Sequence, residues 1–277
     1  MTYAELEREF AAWAQAQADM RAAIVVGSHA RIDPPPDEWS DLDLIVFTTD
    51  MEKYAADRGW LDRFGAVTIA VLEHSRRGDA EWLIVYDNGF KFDVLLASVM
   101  KSGPIDTTLY DIVLVHGARA LFDKSDPANR LNLDVSVPVP LPAAAEFSEA
   151  LNHTWLTALR AAKFIARGDL WRAKIACDSQ LKTQVLTMLE WHTLAGDPQR
   201  CIWHDGRDIA QWADRRAVMA LPGSFAAYNA ADLRRALFAT LDLYRWLAIE
   251  TAQRSGVIFP AKTHEQVIDW LKSIVPH

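Results

Sequence analysis

The segment LDVSVPVPLP, residues 133–142, carries prolines at 138, 140 and 142. Each Pro fixes φ and lacks an N–H, so the run is extended and cannot continue a helix. It separates two kinds of text. Before it lie short apolar runs rich in β-branched residues: AAIVVGS at 22–28, DLDLIVF at 41–47, VTIAVLE at 67–73, WLIVY at 82–86 and FKFDVLLASV at 90–99. After it, residues 143–167, 170–195 and 230–255 repeat Leu, Trp, Phe and Ala at helical spacing. The expected fold class is α+β, with a mixed-sheet domain over 1–137 followed by an all-α helical bundle over 138–277. Leu6, Phe10 and Trp13 predict an opening helix over 4–19, and Asp87-Asn88-Gly89 predicts the hairpin turn between the last two strands.

One of these strands breaks its own pattern. In DLDLIVF the acids Asp41 and Asp43 alternate with Leu42, Leu44 and Val46, so both carboxylates face one side of the strand. Asp is depleted in strands, and two on one face repel unless a cation lies between them. A third acid, Asp93, interrupts the apolar strand FKFDVLL in the same way. Three carboxylates on neighbouring strands can bridge two Mg²⁺ ions, the arrangement used in two-metal phosphoryl transfer. Gly27 and Ser28 close the preceding strand, where a missing Cβ lets the backbone approach a phosphate and a hydroxyl can donate to it.

The rest of the composition narrows the partners. The formal net charge of −8 argues against a nucleic-acid binder, which needs concentrated Lys and Arg, and suits a cationic small molecule. The first twenty residues contain Glu5, Glu7 and Glu9 and no continuous apolar run, which predicts neither a signal peptide nor a membrane span and places the protein in the cytoplasm. Cys177 and Cys201 fall in no metal or redox spacing and read as small core residues.

Gly-Ser, a proline-containing loop, D-x-D and a later single Asp on a strand together form the pattern of polymerase-β-type nucleotidyltransferases. The order GS, then D-x-D thirteen residues after the Ser, then NGFKFDVLL, resembles the bacterial aminoglycoside 6-adenylyltransferases, the streptomycin-modifying branch. WLTALRAAKFIARGDLWRAK at 155–174 and LTMLEWH at 186–192 extend the resemblance over most of the chain. It implies ATP and Mg²⁺, attack of a substrate hydroxyl on the α-phosphorus, release of pyrophosphate, and an antibiotic held between the two domains. Asp41 and Asp43 would hold both metals, Asp93 the catalytic one, and Ser28 the terminal phosphates. Where the family has Arg after Gly-Ser this chain has His29, with Arg31 close enough to replace that phosphate contact.

On the helical half, Lys163, Lys174 and Lys182 are the candidate neutralisers of the triphosphate. Glu146, Glu149, Asp178 and Glu190 are candidate contacts for a cationic acceptor. The family text NEFW reads NHTW here, so His153 stands at the acidic position and becomes a candidate substrate contact or base. Trp155, Trp171 and Trp191 fall at helical spacing and are expected in the core. A lincosamide or a protein hydroxyl is the alternative acceptor, and a nucleotide-binding relative without turnover the alternative class.

Overall fold

The computed structural model of the chain describes residues 2–275 apart from 33, 34, 76, 134–140 and 203. Most of the alternating-proline segment thus lies outside the described residues. The chain divides into two compact units, Met1–Val137 and Pro138–His277.

The first unit opens with α1 (Tyr3–Ala16), started by a capping box in which Thr2 Oγ1 accepts from Glu5 N and Glu5 Oε2 accepts from Thr2 N. The helix ends three residues earlier than its spacing predicts. Asp19 ends it by holding Lys53 Nζ (2.7 Å) and Tyr54 Oη (2.6 Å), which turns the chain into β1 (Met20–Val26). The unit continues with β2 (Leu42–Thr48), α2 (Met51–Ala56), β3 (Val67–His74), β4 (Ala80–Tyr86), β5 (Lys91–Ser98), α3 (Asp111–Leu114) and β6 (Ala118–Asp123). The strands form one sheet in the order β3-β4-β5-β2-β1-β6. Only β2 and β5 run parallel; the other neighbours are antiparallel. Asp87-Asn88-Gly89 makes the β4–β5 turn, with Gly89 N donating to Tyr86 O.

Both faces of the sheet are covered, which explains the near-continuous apolar text of β1 and β2. Leu42, Leu44 and Val46 pack with Leu6, Phe10 and Phe64 on one side. Trp13 stacks on Trp60 there, ring centres 5.1 Å apart. Ile45 and Phe47 pack with Ile105, Tyr110 and Leu114 on the other. The strand β6 is absent from the sequence expectations, because ARALFD has little β-propensity and one buried residue, Phe122.

The second unit holds α4 (Ala144–Ala166), α5 (Leu170–Ile175), α6 (Leu181–Gly196), α7 (Ile209–Trp212), α8 (Arg215–Ser224), α9 (Ala230–Ser255) and α10 (Ala261–Ile274). A π turn, Ala176–Gln180, joins α5 to α6, so the predicted helix 170–195 is continuous in path but not in phase. One extra residue rotates the preceding face by about 100°. Trp171 therefore points outward, 69% exposed, which corrects its placement in the core, while Trp155 and Trp191 are buried as expected. Cys201 is likewise exposed, on the loop after α6, whereas Cys177 is buried. Among the described residues no helix is long and apolar enough to cross a membrane.

Candidate active site

Three strand ends meet at one edge of the sheet face. Antiparallel pairing sets Val26, the last residue of β1, against Asp43. Parallel pairing sets Asp43 beside Asp93. The sequence places Asp41 on the strand; the structure starts β2 one residue later, so Asp41 stands just outside it. Its side chain is more open than that of Asp93, 36% exposed against 12%.

Gly27 follows β1 at φ +71°, a left-handed conformation natural to glycine, and a Cβ there would lie 3.1 Å from Asp43 Oδ2. Its N–H donates to Gly117 O (3.1 Å). Gly117, also at positive φ, leaves room for the Arg31 stem, since a Cβ would fall 2.5 Å from Arg31 Cγ. The buried Ser28 lies in the same turn, Gly27–Ala30. Arg119 braces this turn from β6 by donating to His29 O (3.2 Å) and holding Glu7 of α1. Gly27, Ser28, Arg31, Asp41, Asp43 and Asp93 thus belong to one neighbourhood of the first unit.

The electrostatics are set by burial and crowding. Burial first, then the neighbouring Asp93, pushes the Asp43 carboxyl up to about 7. Burial raises Asp93 as well, offset in part by Lys91. Asp93 Oδ1 is buried without a hydrogen-bond partner, an atom suited to a ligand that accepts its lone pairs. Glu81 on β4 is raised by burial and by Asp93 and Glu73, so the acidic field extends along the sheet.

Two groups escaped the sequence reading. Lys91 Nζ lies 2.8 Å from both Asp41 Oδ2 and Asp93 Oδ2. The alternation of β5 contained that signal, because Lys91 is two residues from Asp93 and on its face. Tyr3 was not legible: its hydroxyl accepts from Lys91 N (3.3 Å) and its ring stacks on Phe90 at 4.3 Å. As the side chains stand, no three His, Cys, Asp or Glu among the described residues enclose a metal site. The oxygen-only set Asp41, Asp43 and Asp93 has the chemistry of a hard divalent cation's ligands, and the positive charge it now holds is the Lys91 ammonium.

The candidates of the second unit fall in three places. Lys174 Nζ donates to Asp178 Oδ2 (2.5 Å) and to Ala226 O, and Ala226 N donates back to Asp178. Lys182 Nζ donates to Cys177 O (2.8 Å) and Thr240 Oγ1 (3.0 Å) and lies over the Phe225 ring. Burial lowers the Lys182 ammonium below its ordinary range. These three side chains surround the π turn and answer one another. On α4, His153 Nε2 sits 3.5 Å from Glu149 Oε1, both well exposed, and Lys163 and Glu146 are exposed on the same helix. Glu190 on α6 is half-buried and its carboxyl is raised by burial, then by Asp205.

Comparison with known proteins covers both units. The aminoglycoside 6-adenylyltransferase of Campylobacter jejuni is 26% identical over 187 residues, 64% of this chain and 62% of that protein. Its namesake from Bacillus subtilis (strain 168) is 24% identical over 182 residues, 62% of each chain. The match therefore spans less than two thirds of these relatives' own length. A crystal structure of an aminoglycoside 6-adenyltransferase from Bacillus subtilis aligns over 100% of both chains with a TM-score of 0.46 and 16% identity. The streptomycin adenylyltransferase family model matches residues 1–274, from the helix that opens the sheet unit through the last helix of the bundle. That match spans nearly the whole of both units, and the chain belongs to the streptomycin adenylyltransferase family.

Proposed function

We propose that the protein transfers AMP from ATP to a hydroxyl of a cationic aminoglycoside, streptomycin or a relative, and releases pyrophosphate. The observation that carries this reading is the register of Asp43 against Asp93, beside a glycine turn that brings backbone to within a Cβ's width of the same carboxylate. The names of the curated relatives support the acceptor class.

Asp41, Asp43 and Asp93 would hold Mg²⁺, two ions in the full site; burial and the nearby acids raise the carboxyls of Asp43 and Asp93. The bound ions would supply charge neutralisation for the triphosphate and its leaving group. This chain's own groups do the rest. The Gly27-Ser28 turn receives the terminal phosphates with backbone N–H and hydroxyl donors, and Arg31 adds charge there. Asp93 orients the acceptor hydroxyl and is placed to take its proton as the new oxygen–phosphorus bond forms. The bond from the α-phosphorus to the bridging oxygen breaks, and pyrophosphate carries away the electron pair. On the helical unit, Lys163, Lys174 and Lys182 are the proposed triphosphate contacts and Glu149, Asp178 and His153 the acceptor contacts. The cytoplasm, where ATP and Mg²⁺ are available, is the proposed compartment.

The test is incubation with ATP, Mg²⁺ and a panel of aminoglycosides and lincosamides, read by pyrophosphate release and product mass. An adenylylated streptomycin supports the reading. Adenylylation of a lincosamide alone replaces the acceptor, and no product from any acceptor rejects it.

A further inference from the structure

Lys91 begins β5 and points to the same sheet face as Asp93, because residues 91 and 93 share one side of the strand. Its ammonium makes charge-assisted bonds of 2.8 Å to Asp41 Oδ2 and 2.8 Å to Asp93 Oδ2. Asp43 lies in register with Asp93, so Lys91 touches two members of a group of three acids. The base of the side chain is pinned. Lys91 N donates to the Tyr3 hydroxyl (3.3 Å), and the Tyr3 ring is stacked on Phe90. The far end is held only by these two carboxylate bonds, and the side chain is 40% exposed, so solvent reaches it on one side. A lysine stem of four carbons can therefore swing its head while its backbone stays in the ladder.

We propose that Lys91 is the resident counter-ion of this carboxylate cluster, that an entering divalent cation displaces its ammonium, and that the freed ammonium then binds the anionic phosphates of the nucleotide. The inference rests on the reading of Asp41, Asp43 and Asp93 as the metal ligands.

The physical argument is competition for the same oxygens. A dication and an ammonium cannot both sit against Asp41 Oδ2 and Asp93 Oδ2 without repelling each other. Metal binding alone must break two charge-assisted bonds and return the ammonium to water. With a triphosphate present, the ammonium exchanges carboxylate oxygens for phosphate oxygens, and much of that loss is recovered. Metal and nucleotide should then each bind weakly alone and strongly together, coupled through one side chain. A lysine with a merely structural role would produce no such coupling.

The experiment is Mn²⁺ binding, followed by the paramagnetic resonance of free Mn²⁺, with and without an ATP analogue carrying a methylene bridge between the α- and β-phosphates. The parent is compared with K91Q, K91R and D43N. Without nucleotide, K91Q should bind Mn²⁺ on the order of tenfold tighter than the parent, within the usual range of coupling factors. The analogue should tighten Mn²⁺ binding less in K91Q than in the parent, and K91R should resemble the parent. K91Q binding Mn²⁺ no tighter than the parent, while D43N loses it, overturns the role of Lys91 and leaves the metal ligands standing. Unchanged Mn²⁺ affinity in D43N overturns the metal reading and the role of Lys91 with it. A second measurement reads the parent directly: with ¹⁵Nζ-labelled lysine, the Lys91 ammonium signal, assigned by its loss in K91R, should shift when Mg²⁺ and the analogue are added. A signal unmoved at saturation overturns the proposal.

Discussion

Asp43 and Asp93 face each other across the parallel pair β2–β5, at the same register and on the same side of the sheet. Neighbouring strands lie about 4.8 Å apart, so two ionised carboxyls at this position oppose each other at short range. The Lys91 ammonium against Asp93 offsets part of this opposition, and the Asp43 carboxyl is pushed up to about 7. Asp43→Asn and Asp93→Asn are each expected to lower adenylyl transfer about a thousandfold or more, and Asp43→Asn to raise the melting temperature of the metal-free protein by a few degrees. Relief of repulsion, together with burial, is the source of that gain. Turnover by either variant at a tenth of the parent rate would remove these residues from the metal site.

Gly27 carries a second constraint. A side chain there meets both the left-handed backbone, φ +71°, and Asp43 Oδ2 at 3.1 Å. Gly27→Ala should cost roughly 1–2 kcal/mol in stability from the backbone conformation alone, and should raise KM for ATP by displacing the turn that carries Ser28. Urea unfolding and steady-state kinetics measure the two effects separately. Unchanged KM with lowered stability would limit Gly27 to a folding role.

The carboxylates were legible in the sequence because each breaks an apolar alternation, and a strand has only two faces, so Asp41, Asp43 and Asp93 had to converge once β2 and β5 were neighbours. The same alternation placed Lys91 on that face, but an isolated lysine near a hairpin reads as a solvated charge until the register is known. Tyr3 was hidden for a different reason: its contact with Lys91 spans 88 residues of sequence, and nothing local encodes it. Trp171 shows how one irregular turn defeats periodicity. The π turn at 176–180 leaves composition and spacing intact while rotating everything before it, so a helical wheel drawn through 170–195 buries the wrong residues. β6 was missed because ARALFD gains its place at a sheet edge from Arg119 holding Glu7 and from the ladder with β1, not from its own apolar content.

Glu190 gives a pH-dependent test within the helical unit. Its folded carboxyl is raised by burial and by Asp205 above the unfolded value of about 4.3. Below the unfolded value both states are protonated and the group is neutral to stability. As pH rises from there through the folded value, the unfolded state releases its proton first, and stability falls. Glu190→Gln should therefore match the parent in melting temperature at about pH 4 and melt higher at about pH 8. A difference that is the same at both pH values would show that the substitution acts through packing rather than charge.

His153 and Glu149 stand one helical turn apart on α4, Nε2 to Oε1 3.5 Å, with side chains 63% and 74% exposed. An exposed, i,i+4 pair of this kind contributes little to stability, a few tenths of a kcal/mol at most. The reading of NHTW against the family text makes His153 a candidate acceptor contact and also a candidate base. The two roles predict different kinetics. If Asp93 takes the acceptor's proton, His153→Ala leaves kcat within about tenfold, the range beyond which general-base loss lies, and raises KM for the acceptor at unchanged KM for ATP. Glu149→Gln should move the same acceptor KM, and by more at low salt, because an exposed carboxylate acts on a polycation through a screened field. We expect this pattern, since Asp93 is buried on β5 in register with Asp43, whereas His153 is well exposed on α4. The measurement is kcat and both KM values for parent, His153→Ala and Glu149→Gln between pH 6 and pH 8. A thousandfold loss of kcat in His153→Ala, with the pH dependence of the parent abolished, would transfer the proton-accepting role from Asp93 to His153.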